Sequence, residues 1–262
     1  MPILGPGTAE PDHNEPDHTA PHRARDVAES FGADAEAYHR LRPRYPAALA
    51  EAVLEAAPGE ASGRDVLDVG CGTGISAEHF AARGCRVLGV DPDARMADRA
   101  RERGLAVEVA RFEDWDARGR DFDVVISGQT WHWVDPERGP AKAGSVLRPG
   151  GRLALFWNAA SIDADLAARL TEACPGIPPT TYTGAAYDAM AVWAAEKLSK
   201  TFTNVTTTAF PWSASYERDA WVAMQLTTGI RGGIDAGAFR NALPASVDVE
   251  YRAILVTGIT DE

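Results

Sequence analysis

The chain has 262 residues, of which 45% are hydrophobic and 24% are charged, enough for one substantial core. Its net charge of −12 argues against a broad nucleic-acid surface, because phosphate binding requires clustered lysine and arginine. Three cysteines suit a reducing compartment and suggest no metal centre, and no apolar run approaches the length of a membrane span. The N-terminus lacks a secretory signal pattern. The sequence therefore predicts a cytoplasmic protein without nucleic-acid or membrane partners.

Residues 1–25 form the first segment, with five prolines and no aromatic residue. Such a composition buries too little apolar surface to offset the entropy lost on ordering, so we expect a flexible extension. His13, His18 and His22 suggest a metal site, but nothing in the sequence fixes the geometry of such ligands, and a solvated tail is favoured. Residues 26–262 are predicted to form one domain.

Alternating strands and helices follow two helices predicted at 27–38 and 46–57. The alternation comprises strand 65–69, helix 75–83, strand 86–90, helix 93–103, strands 106–110 and 122–127, helix 136–147 and strand 152–157. This order predicts an α/β fold with a Rossmann-like, doubly wound, mostly parallel sheet that binds its ligand at the carboxyl ends of the strands. Two further strands are predicted at 204–210 and 249–257, and helical or irregular insertions at 161–200 and 215–244.

The most informative motif is VLDVGCGTG, which runs from Val66 to Gly74 and is followed one helix length later by VLGVD, ending at Asp91. An apolar run closing on Asp68 indicates a buried strand. Three alternate glycines then permit a tight turn and the close approach of a ligand to the backbone. A carboxylate at the end of the next strand can accept hydrogen bonds from two ribose hydroxyls. The motif therefore predicts a nucleoside-binding βαβ unit.

Glycine spacing alone does not identify the nucleoside. Gly72, Gly74 and Ala77 also fit a loose dinucleotide fingerprint, with Asp91 at a suitable distance to be its ribose acid. However, the sequence contains no Tyr-x-x-x-Lys pair and shows no separate substrate domain. An NAD-dependent oxidoreductase is therefore the alternative to be tested.

The acidic strand end before three alternate glycines resembles motif I of class I S-adenosylmethionine (SAM) methyltransferases. The segment LRPGGR at 147–152 resembles the approach to the fifth strand of that family, and FGA at 31–33 with YHRLRPRYP at 38–46 resembles the lid of its small-molecule members. The resemblance covers roughly residues 27–160. It implies a seven-stranded sheet with an antiparallel last strand, and helical insertions that cap an acceptor pocket. It also implies a lid at 27–60, a cofactor-binding core at 61–160, cap insertions with the sixth strand at 161–248, and the last strand at 249–262.

The same resemblance implies a set of cofactor contacts. SAM would be the cofactor and S-adenosylhomocysteine (SAH) the product, with Asp68 near the methionine ammonium and Asp91 on the ribose. The further implied contacts are Gly70, Cys71, Gly72 and Gly74 in the loop, Tyr38 and Arg42 on the methionine carboxylate, Pro92, Met96, Arg111, Phe112 and Glu113 around adenine, and Gln129 beneath the sulfonium.

The sequence Trp131-His132-Trp133 is the best indication of an acceptor site. His132 is a candidate general base, since histidine titrates near neutrality, and both tryptophans are candidate acceptor contacts. Alternatively, His132 binds backbone and the tryptophans pack the cap. The predicted function is methyl transfer to O, N or C of a small molecule. The alternatives are the oxidoreductase and a SAM-binding protein without transfer activity. The sequence does not reveal the acceptor or the oligomeric state.

Overall fold

The computed structural model describes residues 31–57 and 62–261. The extension predicted at 1–25 lies outside these residues, as does the beginning of the first predicted helix. The helices are α1 (Ala35–Leu41), α2 (Ala47–Glu55), α3 (Glu78–Ala81), α4 (Ala94–Glu102), α5 (Arg138–Val146), α6 (Ala164–Ala173), α7 (Ala185–Leu198), α8 (Arg218–Gln225) and α9 (Ala236–Ala242). The strands are β1 (Asp65–Val69), β2 (Arg86–Asp91), β3 (Ala106–Val109), β4 (Phe122–Gly128), β5 (Leu147–Ser161), β6 (Thr203–Glu217) and β7 (Ser246–Ile259).

The seven strands form one sheet in the order β3-β2-β1-β4-β5-β7-β6. The pairs from β3 to β5 are parallel, whereas β7 runs antiparallel to both β5 and β6. The chain reverses its direction of growth at β1, so the carboxyl ends of β1 and β4 flank the crevice where ligands bind in such sheets. The predicted Rossmann-like fold class with an antiparallel last strand is confirmed.

Side chains of β1 point alternately to opposite faces of the sheet, and both faces are covered. Val66 packs with Leu49 and Val53 of α2, whereas Leu67 lies in a separate cluster with Val125. Because neighbouring side chains of β1 point to opposite faces and both faces are buried, the strand carries consecutive apolar residues. The two helical layers therefore follow directly from the sequence of the strands.

Several elements differ in extent from the predictions, and β5, expected at 152–157, runs from Leu147 to Ser161. The helix expected at 75–83 is confined to Glu78–Ala81, because the positive φ angles of the glycine loop carry the chain through a longer turn before the helix begins. The sixth strand, expected at 204–210, continues to Glu217 because β7 pairs with it as far as Ser246. Pro211 is tolerated within β6 because this strand lies at the edge of the sheet.

Among the residues that the structure describes, no helix has the length and apolar character needed to cross a membrane. The same residues contain no group of three or more histidine, cysteine, aspartate or glutamate side chains that could hold a metal ion.

Candidate cofactor and acceptor site

The glycine loop connects β1 to α3 at the carboxyl edge of the sheet. Gly70, Gly72 and Gly74 have φ angles of +65°, +53° and +90°, a region that other residues rarely adopt. A Cβ on Gly70 would lie 2.0 Å from Cγ2 of Thr130, so the loop after β4 packs directly on this backbone. The hydroxyl of Thr130 donates to the carbonyl oxygen of Gly70 at 3.1 Å. These contacts hold the loop close to the end of β4.

Cys71 belongs to this loop but points away from the edge. It is buried in a small cluster with Ala97, Ala100 and Val107, beneath α4. A Cβ on Gly89 would lie 2.5 Å from its sulfur atom, so the β2 backbone closes over the thiol. Cys71 therefore offers a ligand its backbone rather than its side chain.

Asp68 ends β1 and is completely buried, with 0% exposure. Ser76 donates its hydroxyl hydrogen to Oδ2 of Asp68 at 2.5 Å. The other oxygen, Oδ1, is buried and has no hydrogen-bond partner among the described residues. Burial and the nearby Asp91 together raise the pKa of Asp68 to about 7, although the hydrogen bond from Ser76 opposes the shift. A buried carboxylate oxygen without a donor suits a cationic hydrogen-bond donor from a ligand.

Asp91 ends the neighbouring strand β2 and is 7% exposed. Its Oδ2 accepts a hydrogen bond from the backbone N–H of Gly72 at 2.8 Å, and its Oδ1 accepts one from the N–H of Asp93 at 2.9 Å. Burial raises its pKa to about 6 although both hydrogen bonds oppose the shift. Since each carboxylate oxygen has two lone pairs, Asp91 can fix the loop and still accept hydrogen bonds from a ribose.

The N-terminal segment covers this edge. The Arg42 guanidinium lies 4.9 Å from the ring centroid of Tyr38. Burial alone would lower the pKa of Arg42, but the hydroxyls of Tyr38, Tyr187 and Tyr45 outweigh that effect and raise it. Among the described residues, no carboxylate lies within ion-pair distance of Arg42. This arginine is therefore available to an anionic group of a ligand.

The chain after β4 provides the opposite wall. Gln129 has a φ of +56°, and its N–H donates to the carbonyl oxygen of Phe156 at 2.9 Å. Its side-chain amide lies close enough to the hydroxyl of Tyr187 on α7 to influence the pKa of that tyrosine, while its Oε1 is buried and has no partner in the described residues. Gln129 thereby connects the predicted floor of the site to the cap.

The candidate adenine residues come from α4 and from the turn after β3. Met96 and Phe112 are buried, whereas Pro92 is exposed. The carboxylate of Glu113 accepts a hydrogen bond from the N–H of Asp135 at 2.8 Å and lies 3.8 Å from the Arg111 guanidinium. The Glu113 side chain therefore holds the loop after β4. Only the backbone of the turn after β3 then remains for contact with an adenine base.

The three residues of the WHW sequence form a 3-10 turn after β4, and they differ in environment. Trp131 is 1% exposed and packs in the core at 6.1 Å from the Phe112 ring. His132 and Trp133 keep accessible surface, and their rings lie 4.7 Å apart. The structure thus separates a core tryptophan from the two residues that remain available to an acceptor.

Sequence reasoning missed several residues of this site. Ser76 holds Asp68, and Tyr187 reaches Gln129 from α7. His39, which received no functional role from the sequence, bonds through Nδ1 to the hydroxyl of Thr73 at 3.0 Å and joins the lid to the glycine loop. Ser76 could have been suspected from its position beside motif I. Tyr187 carried no such signal, because its place depends on how α7 docks.

Comparisons with known proteins agree with this geometry. Residues 67–155 match a family described as a methyltransferase domain. An uncharacterised methyltransferase of Mycobacterium bovis is 40% identical over 136 residues, which cover 51% of this chain and 54% of that protein. The chain therefore spans about half the length of the curated relatives it matches.

Solved structures show the same architecture. A candidate type II methyltransferase from Anaeromyxobacter dehalogenans matches with a TM-score of 0.64 and 25% identity, over 84% of this chain and 99% of that one. An N-methyltransferase from Bradyrhizobium japonicum in complex with SAH matches with a TM-score of 0.51 and 14% identity, over 90% of this chain and 100% of that one. At 14% identity, the second likeness shows the fold alone.

The sheet and its glycine loop define a nucleoside-binding domain of the Rossmann-like class. The family match spans the glycine loop, and the relatives and the solved structures are methyltransferases as well. Residues 67–155 match a methyltransferase domain, and the fold of the chain is similar to that of class I SAM-dependent methyltransferases.

Proposed function

We propose that the protein binds SAM at the carboxyl edge of β1, β2 and β4 and transfers its methyl group to O, N or C of a small molecule. The observation that carries this proposal is the buried, unpartnered Oδ1 of Asp68 beside a left-handed glycine loop. Such an oxygen is costly in the free protein and suits the ammonium group of a methionine moiety. Bound SAM would supply a methyl group already activated on a sulfonium.

The remaining donor contacts follow from the arrangement of the walls. Asp91 would accept hydrogen bonds from the ribose hydroxyls, and Arg42 with Tyr38 would bind the methionine carboxylate. Met96, Pro92 and the backbone of residues 111–113 would surround adenine, with Gln129 beneath the sulfonium. Backbone from Gly70 to Gly74 would approach the ligand closely. In this scheme the protein aligns the donor and acceptor and excludes water.

A small-molecule acceptor is favoured by the enclosure of the site and by charge. The hydrogen bond between His39 and Thr73 and the proximity of Tyr187 to Gln129 support an edge that is covered by both the lid and α7. The net charge of −12 disfavours a polyanionic acceptor such as nucleic acid. All three cysteines are buried thiols that form no disulfide in the described residues, which supports a cytoplasmic location.

The test is SAH release from SAM with a panel of hydroxylated, carboxylated, amine and activated-carbon compounds. We expect turnover on at least one class, and loss of that turnover in Asp68→Asn. SAH binding without turnover on any class would favour the SAM-binding protein without transfer activity. Binding of NAD instead of SAH would favour the oxidoreductase and contradict the proposal.

A further inference from the structure

The histidine of the WHW turn, His132, contacts a tryptophan of β5. Trp157 is fully buried, and its indole Nε1 donates a hydrogen bond to Nδ1 of His132 at 3.4 Å. An indole nitrogen can only donate, so Nδ1 must present its lone pair. A neutral imidazole with a free lone pair on Nδ1 carries its proton on Nε2. The indole therefore selects one tautomer of His132.

The environment also keeps this ring neutral. Burial is the only influence on the pKa of His132 and lowers it to about 4, since no charged group among the described residues contributes. At physiological pH, the His132 ring is therefore an uncharged donor through Nε2.

The donor nitrogen is available to a ligand. Nε2 of His132 has no hydrogen-bond partner in the described part of the chain, and it is not among the fully buried, unpartnered side-chain atoms. The ring lies after the carboxyl end of β4 and against β5, three positions from Gln129 along the chain. His132 therefore follows the same strand end as Gln129, the residue predicted to lie beneath the sulfonium.

We infer that His132 is a positioning residue whose Nε2–H donates a hydrogen bond to an oxygen of the methyl acceptor, and that it is not a general base. The inference rests on the proposed function for the presence of an acceptor. Both nitrogens are committed, because Trp157 occupies the lone pair on Nδ1 and Nε2 carries the proton. The site therefore selects acceptors that present a carbonyl, carboxylate, ether or hydroxyl oxygen to this donor. Trp157 positions His132 in turn.

The tautomer is tested on the full chain labelled with ¹⁵N-histidine and saturated with SAH. Long-range ¹H–¹⁵N spectra of the six histidines are recorded from about pH 5 to about pH 8, with His132→Gln to assign the signals. We expect His132 to remain in the Nε2–H form throughout, and Trp157→Phe to remove this preference. An Nδ1–H tautomer, or titration near neutrality, overturns the inference. These spectra decide the question whether or not an acceptor has been found.

A pair of variants tests the role once the panel yields an acceptor. Glutamine keeps an amide N–H near the position of Nε2 but has no basic nitrogen, whereas phenylalanine has neither. We expect His132→Phe to lower turnover about tenfold or more and His132→Gln to restore much of it, with the same pH profile of turnover at saturating SAM in His132→Gln and in the wild type. Equal losses in both variants, with unchanged SAH affinity and melting temperature, would assign His132 as a base. If the wild-type protein does not bind SAH, the proposed function itself is refuted.

Discussion

At the scale of single residues, Asp68 best shows how stability is given up for binding. Its carboxylate is buried, only one oxygen has a donor, and the nearby Asp91 raises its pKa further. Burial of a charge with incomplete hydrogen bonding is unfavourable, and a cationic ligand relieves it. The free protein is therefore destabilised at the point where the cofactor would bind most strongly.

The variant Asp68→Asn should separate the effect of this carboxylate on the stability of the free protein from its effect on cofactor binding. The neutral amide removes the buried charge, so the melting temperature of the free protein should rise by a few degrees. SAH should bind about tenfold more weakly or worse, because a charge-assisted hydrogen bond is lost. Asp98→Asn, on the exposed face of α4, serves as the control and should change neither quantity. A variant that is less stable yet binds SAH normally would contradict this role.

The pKa of Asp68 also predicts opposite responses to pH. The pKa of the Asp68 carboxyl is 3.8 in the unfolded chain and about 7 in the folded protein. Between about pH 4 and about pH 7, the folded state therefore binds a proton at Asp68 more tightly than the unfolded state does. The free energy of unfolding of the free protein should therefore gain a contribution as the pH falls through this window. SAH affinity should fall over the same window, because the ammonium requires an ionised carboxylate. Calorimetry at about pH 6 and about pH 8 checks the sign, and equal affinities at the two values would disprove it.

At the scale of elements, the lid depends on one close approach. A Cβ on Gly32 would lie 2.1 Å from Oδ2 of Asp93. Asp93 cannot withdraw easily, because its Oδ1 caps α4 through the N–H of Arg95 and its own N–H donates to Asp91. The position of the lid is therefore coupled, through Asp93, to the position of the Asp91 carboxylate.

Gly32→Ala should displace the lid and disturb Asp91 together. We expect a loss of about 1–3 kcal/mol in the free energy of unfolding and several-fold weaker SAH binding. Gly229→Ala is the matched control, since a Cβ there meets nothing within 4 Å. Denaturant unfolding and calorimetry on both variants provide the measurement. If the two variants behave alike, the lid is not held as described.

The sequence predicted the elements that obey local rules. The run ending at Asp68 and the alternation beyond it predicted the parallel strands, and Gly84 and Gly104, just past helix ends, have the positive φ angles that are common for glycine there. Local patterns could not give the length of β6, which depends on its pairing with β7. They also could not place Tyr187 or give the tautomer of His132, because both depend on contacts between elements distant in sequence.

At the scale of the whole molecule, the topology brings these parts together. The reversal at β1 places the glycine loop and the loop after β4 at one edge, where the lid and α7 cover them. Asp68 and Asp91 end adjacent strands at this edge, and we propose that Asp68 binds the ammonium and Asp91 the ribose hydroxyls of the cofactor. The central claim is that this crevice binds the nucleoside and amino-acid parts of SAM.

Titration calorimetry with SAH on the wild type and on Asp91→Ala tests that claim most directly. We expect one SAH per chain for the wild type and affinity about tenfold weaker or worse for the variant, because ribose hydroxyls lose a buried acceptor. Circular dichroism and Asp98→Ala control for changes in folding, and NAD should give no binding heat. Unchanged SAH affinity in a folded Asp91→Ala protein, or tight binding of NAD, would contradict the account.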